Sequence, residues 1–327
     1  MSADAPGRNP GSAAPEEHDR PGKVTVVFNP ASGGESAAER RDRIKQRLEQ
    51  LDLDLRWLET TPDDTGAGLA RTAVKEGAEL VIACGGDGTV RACATGLSGS
   101  DVPLGVIPFG TGNLVAANFD IPTDVDDALE IALDCRRRRI DLGAVGDERF
   151  VIAAGMGFDA AMLRDADKRL KKHLGWVAYV VSGVKNLRRP VVAFHLELDG
   201  KDPITRRGQG VIICNLGRIQ GGLPVLPDAV PDDGRFDLAV LRTRSLRDWL
   251  VVALAVLVRS RKRPPEMETF RAAKVRVRSE RPQPVEFDGD ALESEATLEL
   301  EVAHTALTLA VPAHQVDQTP PVRRHPE

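Results

Sequence analysis

The fold is decided by the stretch Val81-Ile82-Ala83-Cys84-Gly85-Gly86-Asp87-Gly88-Thr89, an apolar run that passes directly into a glycine-rich loop. The apolar part is typical of a buried strand, and glycines let the backbone turn tightly and approach a ligand closely. Successive N–H groups of such a turn, with the start of a following helix, can bind phosphate oxygens. Asp87 alone would repel phosphate, so it indicates that Mg²⁺ shares the site. The stretch predicts a nucleotide-using kinase without a Walker A loop; a plain glycine-rich turn is the alternative.

Strands and helices alternate on both sides of this stretch, from Lys23 to about Ala144. The first helix is expected to be N-capped by Ser36, with Glu39 completing a capping box, and the second to open at residues 62–64. This alternation predicts a mostly parallel sheet covered on both faces, which binds ligands at the carboxyl ends of its strands. The predicted strands are residues 24–28, 53–58, 80–84 and 104–107, and the loops expected at the ligand edge are residues 29–34, 85–89 and 109–113.

The pattern changes beyond about Val145 to short β-rich segments with few helices. The predicted fold class is therefore an α/β nucleotide-binding domain followed by a mainly antiparallel β-sandwich domain. The expected strands are residues 150–153, 191–198, 210–214, 236–241, 273–277 and 296–302, with helices within 159–187 and 246–259. The expected division is a disordered tail (1–22), the α/β domain (23–145), the β-sandwich domain (146–314), whose last strand is free to pack back on the first domain, and a second disordered tail (315–327).

Composition narrows the class of protein. The chain has 327 residues, of which 42% are hydrophobic and 28% charged, and its net charge of −5 gives no indication of a nucleic-acid partner. Four scattered cysteines without metal-ligand spacing are expected to be reduced thiols of a cytoplasmic protein. Residues 1–22 lack the apolar core of a signal peptide, and no apolar run reaches the roughly 20 residues that span a bilayer.

Several motifs in order along the chain together resemble the diacylglycerol kinase catalytic family, specifically its soluble bacterial lipid-kinase branch. The resemblance covers roughly residues 23–312. The glycine-rich loop alone would be less specific, since NAD kinases resemble it there and phosphofructokinases carry a related motif. The motifs are Asn29-Pro30-Ala31-Ser32-Gly33, residues 85–89, Pro108-Phe109-Gly110-Thr111-Gly112-Asn113, Ile140-Asp141-Leu142-Gly143, Gly155-Met156-Gly157-Phe158-Asp159, residues 227–234 and Phe287-Asp288-Gly289-Asp290.

This resemblance implies an active site in the cleft between the two domains, with ATP and Mg²⁺ as cofactors and an amphiphilic lipid as the acceptor. It makes Asp290, where the family usually has Glu, the general base, and it gives Asp87 a catalytic role in organising Mg²⁺–ATP. The implied ATP contacts are Asn29, Pro30, Ala31, Ser32, Gly33, Thr60, Gly85, Gly86, Asp87, Gly88, Thr89, Val90, Arg91, Gly110, Thr111, Gly112 and Asn113.

The same resemblance implies a structural Mg²⁺ in the β domain. The side chain of Asp233 and the backbone carbonyls of Val230 and Arg235 would hold this ion. Asp141 matches an acid that the family places in a water-bridged Mg²⁺ network with Asp87. A plain β-turn with solvated acids is the alternative at Asp233, since Asp-Asp-Gly is common turn chemistry.

The chemistry of the residues agrees with the resemblance. Phosphoryl transfer to an alcohol needs a positioned triphosphate, Mg²⁺ and a carboxylate within reach of the hydroxyl proton. Asp290 follows a turn-forming glycine and can face a cleft, although an ordinary turn acid is the alternative. Two positions depart from the family: Leu114 stands where many members have Asp, and Gly34-Glu35 stand where a lysine sometimes occurs.

The leading hypothesis is therefore an ATP- and Mg²⁺-dependent lipid kinase. A NAD kinase or other small-metabolite kinase is the first alternative, although residues 104–113 lack the Gly-x-Asn-x-Gly-x-Leu-Gly-Phe-Leu pattern expected of a NAD kinase. The second is a catalytically inert lipid- or nucleotide-sensing homologue, which Leu114 keeps open. No motif encodes which lipid is the acceptor, and a homodimer also stays open.

Residues 249–258 form an apolar run that would have no polar face as a helix. Such a helix would extend only about 15 Å, too short to span a bilayer. Basic flanks favour contact with an anionic membrane surface, with Trp249 near the headgroups, whereas a core helix packed on the β domain is the alternative. The flanking cations are Arg242, Arg244, Arg247, Arg259, Arg261, Lys262 and Arg263.

Overall fold

The computed structural model describes residues 20–33, 37–134, 136–157, 191–219, 223–243, 245–257 and 264–316. Outside these residues lie most of both predicted tails, the Ser36 cap, the helices expected within 159–187 and the basic residues 259–263. None of the helices in the described ranges is long and apolar enough to cross a membrane.

An α/β unit forms the N-terminal part of the protein. Its elements are β1 (Lys23–Phe28), α1 (Ala37–Glu49), β2 (Asp54–Glu59), α2 (Ala67–Lys75), β3 (Leu80–Gly85), α3 (Asp87–Leu97), β4 (Leu104–Pro108), α4 (Leu114–Asn118) and α5 (Val125–Leu133). The strands pair in parallel in the order β2-β1-β3-β4. Nearly every residue of β1, β3 and β4 is buried, as expected of strands covered on both faces. The predicted parallel sheet is confirmed.

The second helix begins later than the sequence predicted. It starts at Ala67 and not at residues 62–64, because the carboxylate of Asp64 accepts hydrogen bonds from the backbone N–H groups of Gly66 and Gly68 (2.9 and 3.1 Å). These bonds hold the preceding residues in a turn and satisfy N–H groups that the first turn of a helix leaves unpaired.

An antiparallel β unit follows. Its elements are β5 (Arg137–Val145), β6 (Glu148–Phe150), β7 (Ala153–Met156), β8 (Val192–Leu198), β9 (Ile204–Gly208), β10 (Gly210–Cys214), β11 (Arg218–Ile219), β12 (Leu223–Pro224), β13 (Phe236–Leu241), α6 (Leu246–Leu257), β14 (Met267–Ala272), β15 (Lys274–Gln283), β16 (Val285–Phe287), β17 (Asp290–Ala291), β18 (Glu295–Ala310) and α7 (Ala313–Val316). One sheet has the order β14-β13-β10-β7-β16-β17, and the strands β18-β15-β8-β9 continue the parallel sheet.

These two sheets face each other across an apolar core. Phe150 stacks on Phe236 and on Phe287, with ring centroids 5.5 and 5.8 Å apart. Met156 and Phe194 are fully buried in the same cluster. Aromatic side chains bury much apolar area each and dominate the energetics of such cores. The predicted fold class, an α/β domain followed by an antiparallel β-sandwich, is thus confirmed.

A single long strand connects the two units. β18 has 16 residues, pairs antiparallel with β15 and β5, and pairs in parallel with β4 where Leu309 lies opposite Leu104. Its register shifts near Thr305, which has a positive φ of 48°. The sequence predicted only residues 296–302 as strand, because His304 and Thr305 interrupt the apolar alternation.

The predicted strand at residues 150–153 is wrong. β6 ends at Phe150 and β7 begins at Ala153. Between them the backbone N–H groups of Val151 and Ile152 donate to the carboxylate of Asp288 (2.8 and 2.7 Å) instead of to a neighbouring strand. A side chain from far along the chain therefore ends one strand and starts the next.

Candidate active site

The three polar loops predicted at the carboxyl edge of the parallel strands lie against one another. Asn29, after β1, donates from Nδ2 to Oγ1 of Thr89 in the glycine-rich loop (2.9 Å). The third loop joins the second because the N–H of Phe109 donates to the carbonyl of Gly85 (2.8 Å). The loops therefore form one connected surface at the edge where parallel sheets bind ligands.

Glycine is required where these loops meet. A Cβ on Gly85 would lie 2.6 Å from the Cβ of Thr89, and a Cβ on Gly110 would lie 2.7 Å from the Cα of Gly86. Real Cβ atoms do not approach other carbon atoms so closely. The close contact between the second and third loops therefore depends on the absence of side chains.

The carboxylate of Asp87 lies between the starts of α3 and α4. Its Oδ1 accepts a hydrogen bond from the backbone N–H of Leu114 (2.5 Å). Burial raises the pKa of Asp87, as does the nearby carboxylate of Asp290, whereas the N–H groups at the start of α4 lower it. The side chain of Leu114 is buried in the core, so this residue contributes its backbone alone to the loop. Asp87 thus holds the third loop in place.

Asn113 presents an oxygen atom to the same region. It adopts a left-handed conformation just before α4 (φ 47°, ψ 48°), and its Nδ2 donates to the carbonyl of Gly110 (2.9 Å). Its Oδ1 is buried and has no hydrogen-bond partner among the described residues. Leaving a buried acceptor unpaired has a cost, so a bound ligand that donates to this atom would gain affinity.

The remaining predicted ATP contacts differ in exposure. The side chain of Val90 is packed in the apolar core and is only 3% exposed, so it is not placed to contact ATP. Thr60 is also buried, and its N–H donates to the carbonyl of Phe28 (2.9 Å). Pro30, Ala31, Gly88 and Thr111 are exposed, and Ser32, Gly33 and Gly112 are half-buried.

Asp290 is brought to this edge from the other end of the chain. Its Oδ2 lies 2.9 Å from Nη2 of Arg91 and 3.7 Å from the position that a Cβ on Gly88 would take. Arg91 also donates from Nη1 to the carbonyl of Phe287 (2.7 Å). The side chain of Asp290 is 52% exposed. Arg91 therefore connects α3 of the α/β unit to the turn that carries Asp290.

Asp288 is a site residue that sequence reasoning missed, although its motif was recognised. Its carboxylate accepts hydrogen bonds from three successive backbone N–H groups, those of Val151, Ile152 and Ala153 (2.8, 2.7 and 3.0 Å). Burial raises the pKa of Asp288 to about 6, and the three N–H donors act in the opposite direction. These bonds fix the turn between β16 and β17, and hence the place of Asp290.

The residues at this edge fit a divalent cation that accompanies a nucleotide. The carboxylate of Asp290 is close enough to raise the pKa of Asp87, and a cation bound at Asp87 would relieve that repulsion. Mg²⁺ prefers oxygen ligands and usually takes one or two carboxylates together with substrate phosphates. Within the described ranges there is no cluster of three or more His, Cys, Asp or Glu side chains of the kind that holds a metal.

Asp141 is fully buried beside the turn that precedes β13. Its Oδ2 accepts from the N–H of Gly234 (2.7 Å), and its Oδ1 accepts from the N–H of Thr305 (2.7 Å). Oδ1 also lies 2.7 Å from Nδ1 of His304. Within the part of the chain that the structure describes, no hydrogen bond or ion pair joins Asp141 to Asp87, so the implied Mg²⁺ network between them stays a prediction.

The residues expected around the structural Mg²⁺ do not fit a second cation. Oδ2 of Asp233 pairs with the guanidinium of Arg271, and its Oδ1 accepts from the N–H of Arg235 (3.1 Å). An ion held by Asp233 and the carbonyls of Val230 and Arg235 would therefore lie beside a guanidinium, and like charges at such distances repel.

Comparison with known proteins identifies two family models along the chain. Residues 23–145 match the diacylglycerol kinase catalytic domain, and residues 151–311 match the YegS C-terminal NAD kinase beta sandwich-like domain. A diacylglycerol kinase of Bacillus subtilis is 33% identical over 245 residues, which are 72% of this chain and 78% of that protein. An uncharacterized protein of a Synechocystis species is 27% identical over 82% of this chain and 65% of its own length.

Solved structures share the fold at low sequence identity. A putative diacylglycerol kinase from Bacillus anthracis matches with a TM-score of 0.74 and 20% identity, over 90% of this chain and 99% of that chain. A NAD kinase from Archaeoglobus fulgidus in complex with ATP matches with a TM-score of 0.50 and 13% identity, over 91% of this chain and 96% of that chain.

Proposed function

The chain belongs to the diacylglycerol kinase catalytic family, and we propose that it uses ATP and Mg²⁺ to phosphorylate a hydroxyl of diacylglycerol or a related lipid. The observation that carries this proposal is the position of Asp290, a carboxylate of the β unit that stands beside Gly88 in the first turn of α3. The predicted phosphate-binding loop and the candidate base are thus neighbours, an arrangement that phosphoryl transfer to an alcohol requires.

The glycine-rich loop and α3 would hold the triphosphate. α3 has 11 residues, and the unpaired N–H groups and positive dipole end of such a helix attract phosphate. Gly86 and Gly110 bring two loop backbones together at this helix end. The guanidinium of Arg91 adds a positive charge one turn further along α3.

Asp290 would accept the proton of the attacking hydroxyl. Arg91 holds Oδ2, and the carbonyl of Phe287 fixes the guanidinium in turn. The side chain of Asp290 is 52% exposed, so an acceptor hydroxyl could reach its carboxylate. Arg91 therefore acts as a positioning residue for the base.

Asp87 is the side chain that would hold Mg²⁺, which when bound neutralises negative charge on the phosphates. Oδ2 of Asp290 is already paired with Arg91. Leu114 replaces a carboxylate that many family members have in the third loop. Its backbone N–H nevertheless fixes the carboxylate of Asp87 (2.5 Å). The loss of a carboxylate at residue 114 therefore does not remove the contact that positions Asp87.

Incubation with γ-labelled ATP, Mg²⁺ and a total lipid extract tests the proposal, with the labelled lipid identified afterwards. Asp290→Asn should lower kcat about 10²–10⁴-fold, the usual contribution of a positioned base, and leave ATP affinity unchanged. Asp290→Glu should be the mildest change, because it restores the residue more usual in the family. Glu293→Gln is the matched control, since Glu293 is exposed on the same segment.

Each negative result of these assays would support a different alternative function. A wild-type protein that binds ATP but labels no lipid would support the inert sensing homologue. Label transferred to NAD, added as a competing acceptor, would support the NAD kinase. A kcat of Asp290→Asn equal to that of the wild type would make Asp290 an ordinary turn acid.

We also propose that α6 rests on a membrane surface beside the lipid entrance. Three of its apolar side chains are exposed, Leu250 by 43%, Val251 by 37% and Leu254 by 59%, whereas Val252 on another face is buried. Leu250 and Leu254 are one turn apart and share a face. Clustered exposed apolar residues are typical of interaction surfaces, and the exposed Arg247 on the same helix would favour anionic lipid.

Flotation with vesicles of mixed phosphatidylglycerol and phosphatidylcholine tests this surface. The double variant Leu250→Ser/Leu254→Ser should lose vesicle binding and keep ATP binding. Leu292→Ser is the control, because Leu292 is 46% exposed but lies outside α6. If the wild type ignores vesicles and instead sediments as a dimer that the double variant dissociates, this face is a self-association surface.

A further inference from the structure

The turn before β13 is held on several sides by groups of this chain. Arg138 donates to Oδ2 of Asp232 from Nε (3.0 Å) and pairs with the same oxygen through Nη2 (2.9 Å). Asp141 accepts from the N–H of Gly234 (2.7 Å) and donates its own N–H to the carbonyl of Pro231 (2.6 Å). Both partners of the Arg138–Asp232 pair are largely buried.

Arg271 contacts the same turn through Asp233. It lies on β14 directly opposite Asp237 of β13. Its Nη2 pairs with Oδ2 of Asp233, and its Nε lies 3.4 Å from Oδ2 of Asp237. The guanidinium therefore stands between two carboxylates from neighbouring segments.

These carboxylates need a cation between them. The side chains of Asp233 and Asp237 are only 29% and 14% exposed, so water screens their negative charges poorly. Like charges placed together disfavour ionisation. A planar guanidinium has enough N–H donors to serve two carboxylates at once, as a small divalent ion would.

We infer that the guanidinium of Arg271 takes the place of a structural Mg²⁺ in the β unit, so that this unit stays folded without any divalent cation. The family resemblance implied an ion at Asp233, and in this chain Asp233 has its counter-charge from β14. Arg271 would thus stabilise the fold, independently of the Mg²⁺ that would accompany ATP.

Metal content and thermal unfolding of the full wild-type chain, without nucleotide or lipid, test the inference. After equilibration with Mg²⁺ and dialysis into metal-free buffer, elemental analysis should find less than about a tenth of a divalent ion per chain. The Tm should be the same in EDTA and in excess Mg²⁺, because a ligand that binds only the folded state would raise it. A near-stoichiometric ion, or a fall in Tm of more than about 2 °C in EDTA, would overturn the inference. Neither result bears on lipid phosphorylation.

Variants test whether Arg271 supplies the counter-charge. Arg271→Met should lower the Tm in EDTA by about 5 °C, because two partly buried carboxylates lose their cation. Added Mg²⁺ or Ca²⁺ should restore part of this loss, and the further change Asp233→Asn should abolish the recovery. Arg276→Met is the control, since Arg276 also bridges two carboxylates, those of Glu197 and Glu299, and its side chain is 37% exposed against 33% for Arg271.

The Tm of the control Arg276→Met should not change when divalent cations are added. An Arg271→Met protein with the wild-type Tm in EDTA would show that Arg271 is not the counter-charge. If that variant does not fold, Arg271→Lys keeps a cation in place and should remain insensitive to EDTA. A requirement of the Lys variant for Mg²⁺ would overturn the inference.

Discussion

Gly110→Ala places a methyl group where two loop backbones already touch. The new Cβ would stand 2.7 Å from the Cα of Gly86 and 3.0 Å from Oδ1 of Asn113. Carbon atoms in ordinary contact are about 3.5–4.0 Å apart, so the loops must separate by roughly 1 Å. The backbone of Gly86 cannot swing aside, and the side chain of Asn113 is tied to the carbonyl of Gly110 (2.9 Å). A misplacement of about 1 Å can lower the rate of an enzyme about 10²-fold.

We therefore expect Gly110→Ala to lower kcat/KM for ATP about 10²-fold and to weaken ATP binding at least about tenfold. Isothermal titration with ATP and the labelled-ATP transfer assay measure the two effects, and the Tm reports whether the fold is retained. Gly22→Ala is the control, because its Cβ would lie at ordinary contact distance, 3.6 Å, from Oε2 of Glu79. Wild-type ATP affinity in a folded Gly110→Ala protein would refute the reasoning that contact between the loops shapes the phosphate site.

Three further changes test single residues of this protein. Asp87→Ala should lower turnover about 10²–10³-fold, because the N–H of Leu114 loses its acceptor; a circular dichroism spectrum should show an intact fold, and turnover above about a tenth of wild type would contradict the role. Arg91→Met should lower kcat more than it raises KM for ATP, since it frees Asp290; a change in KM alone would make Arg91 an ATP contact only. The pKa of Asp237 in the folded protein is about 6, above its unfolded value. The free energy of unfolding of the wild type, relative to that of Asp237→Asn, should therefore decrease by up to about 3 kcal/mol as the pH rises from about 4 to about 6. Urea denaturation across this range measures it, and an advantage that grows with pH would contradict the assignment.

The strands and loops of the α/β unit could be predicted because their signals are local. Every residue of Leu80–Gly85 is buried, and the sequence shows this as an uninterrupted apolar run that ends in glycines. The helix start at Ala67 was predicted too early for an equally local reason. The side chain of Asp64 accepts hydrogen bonds from two N–H groups that follow it in the chain. Residues 62–64 all favour the start of a helix, and the sequence alone does not show which side chain binds the free N–H groups.

Contacts between distant segments could not be predicted from pattern. Arg91 and Phe287 are 196 residues apart in sequence, and only the packing of two units brings them together. Asp288 belongs to a recognised motif, yet nothing local shows that its carboxylate would end β6 and start β7. In the sequence, Arg271 looks like an ordinary polar residue of an alternating strand. Its role becomes visible only from the pairing of β14 with β13. The resemblance therefore predicted candidate segments for the site, and the tertiary structure adds which charged atoms lie together.

The 16-residue strand β18 restricts how the cleft can move. A hinge between domains normally lies in a few linker residues that absorb a large change in φ and ψ. Here the backbone hydrogen bonds of β18 to β15, β5 and β4 run through both units without such a linker. Wide separation of the two units would break these bonds, so the proposed nucleotide and lipid would enter by movement of the surrounding loops and by twisting of the shared sheet. The distance from the phosphate loop to the base is then set largely by the fold, before any substrate arrives.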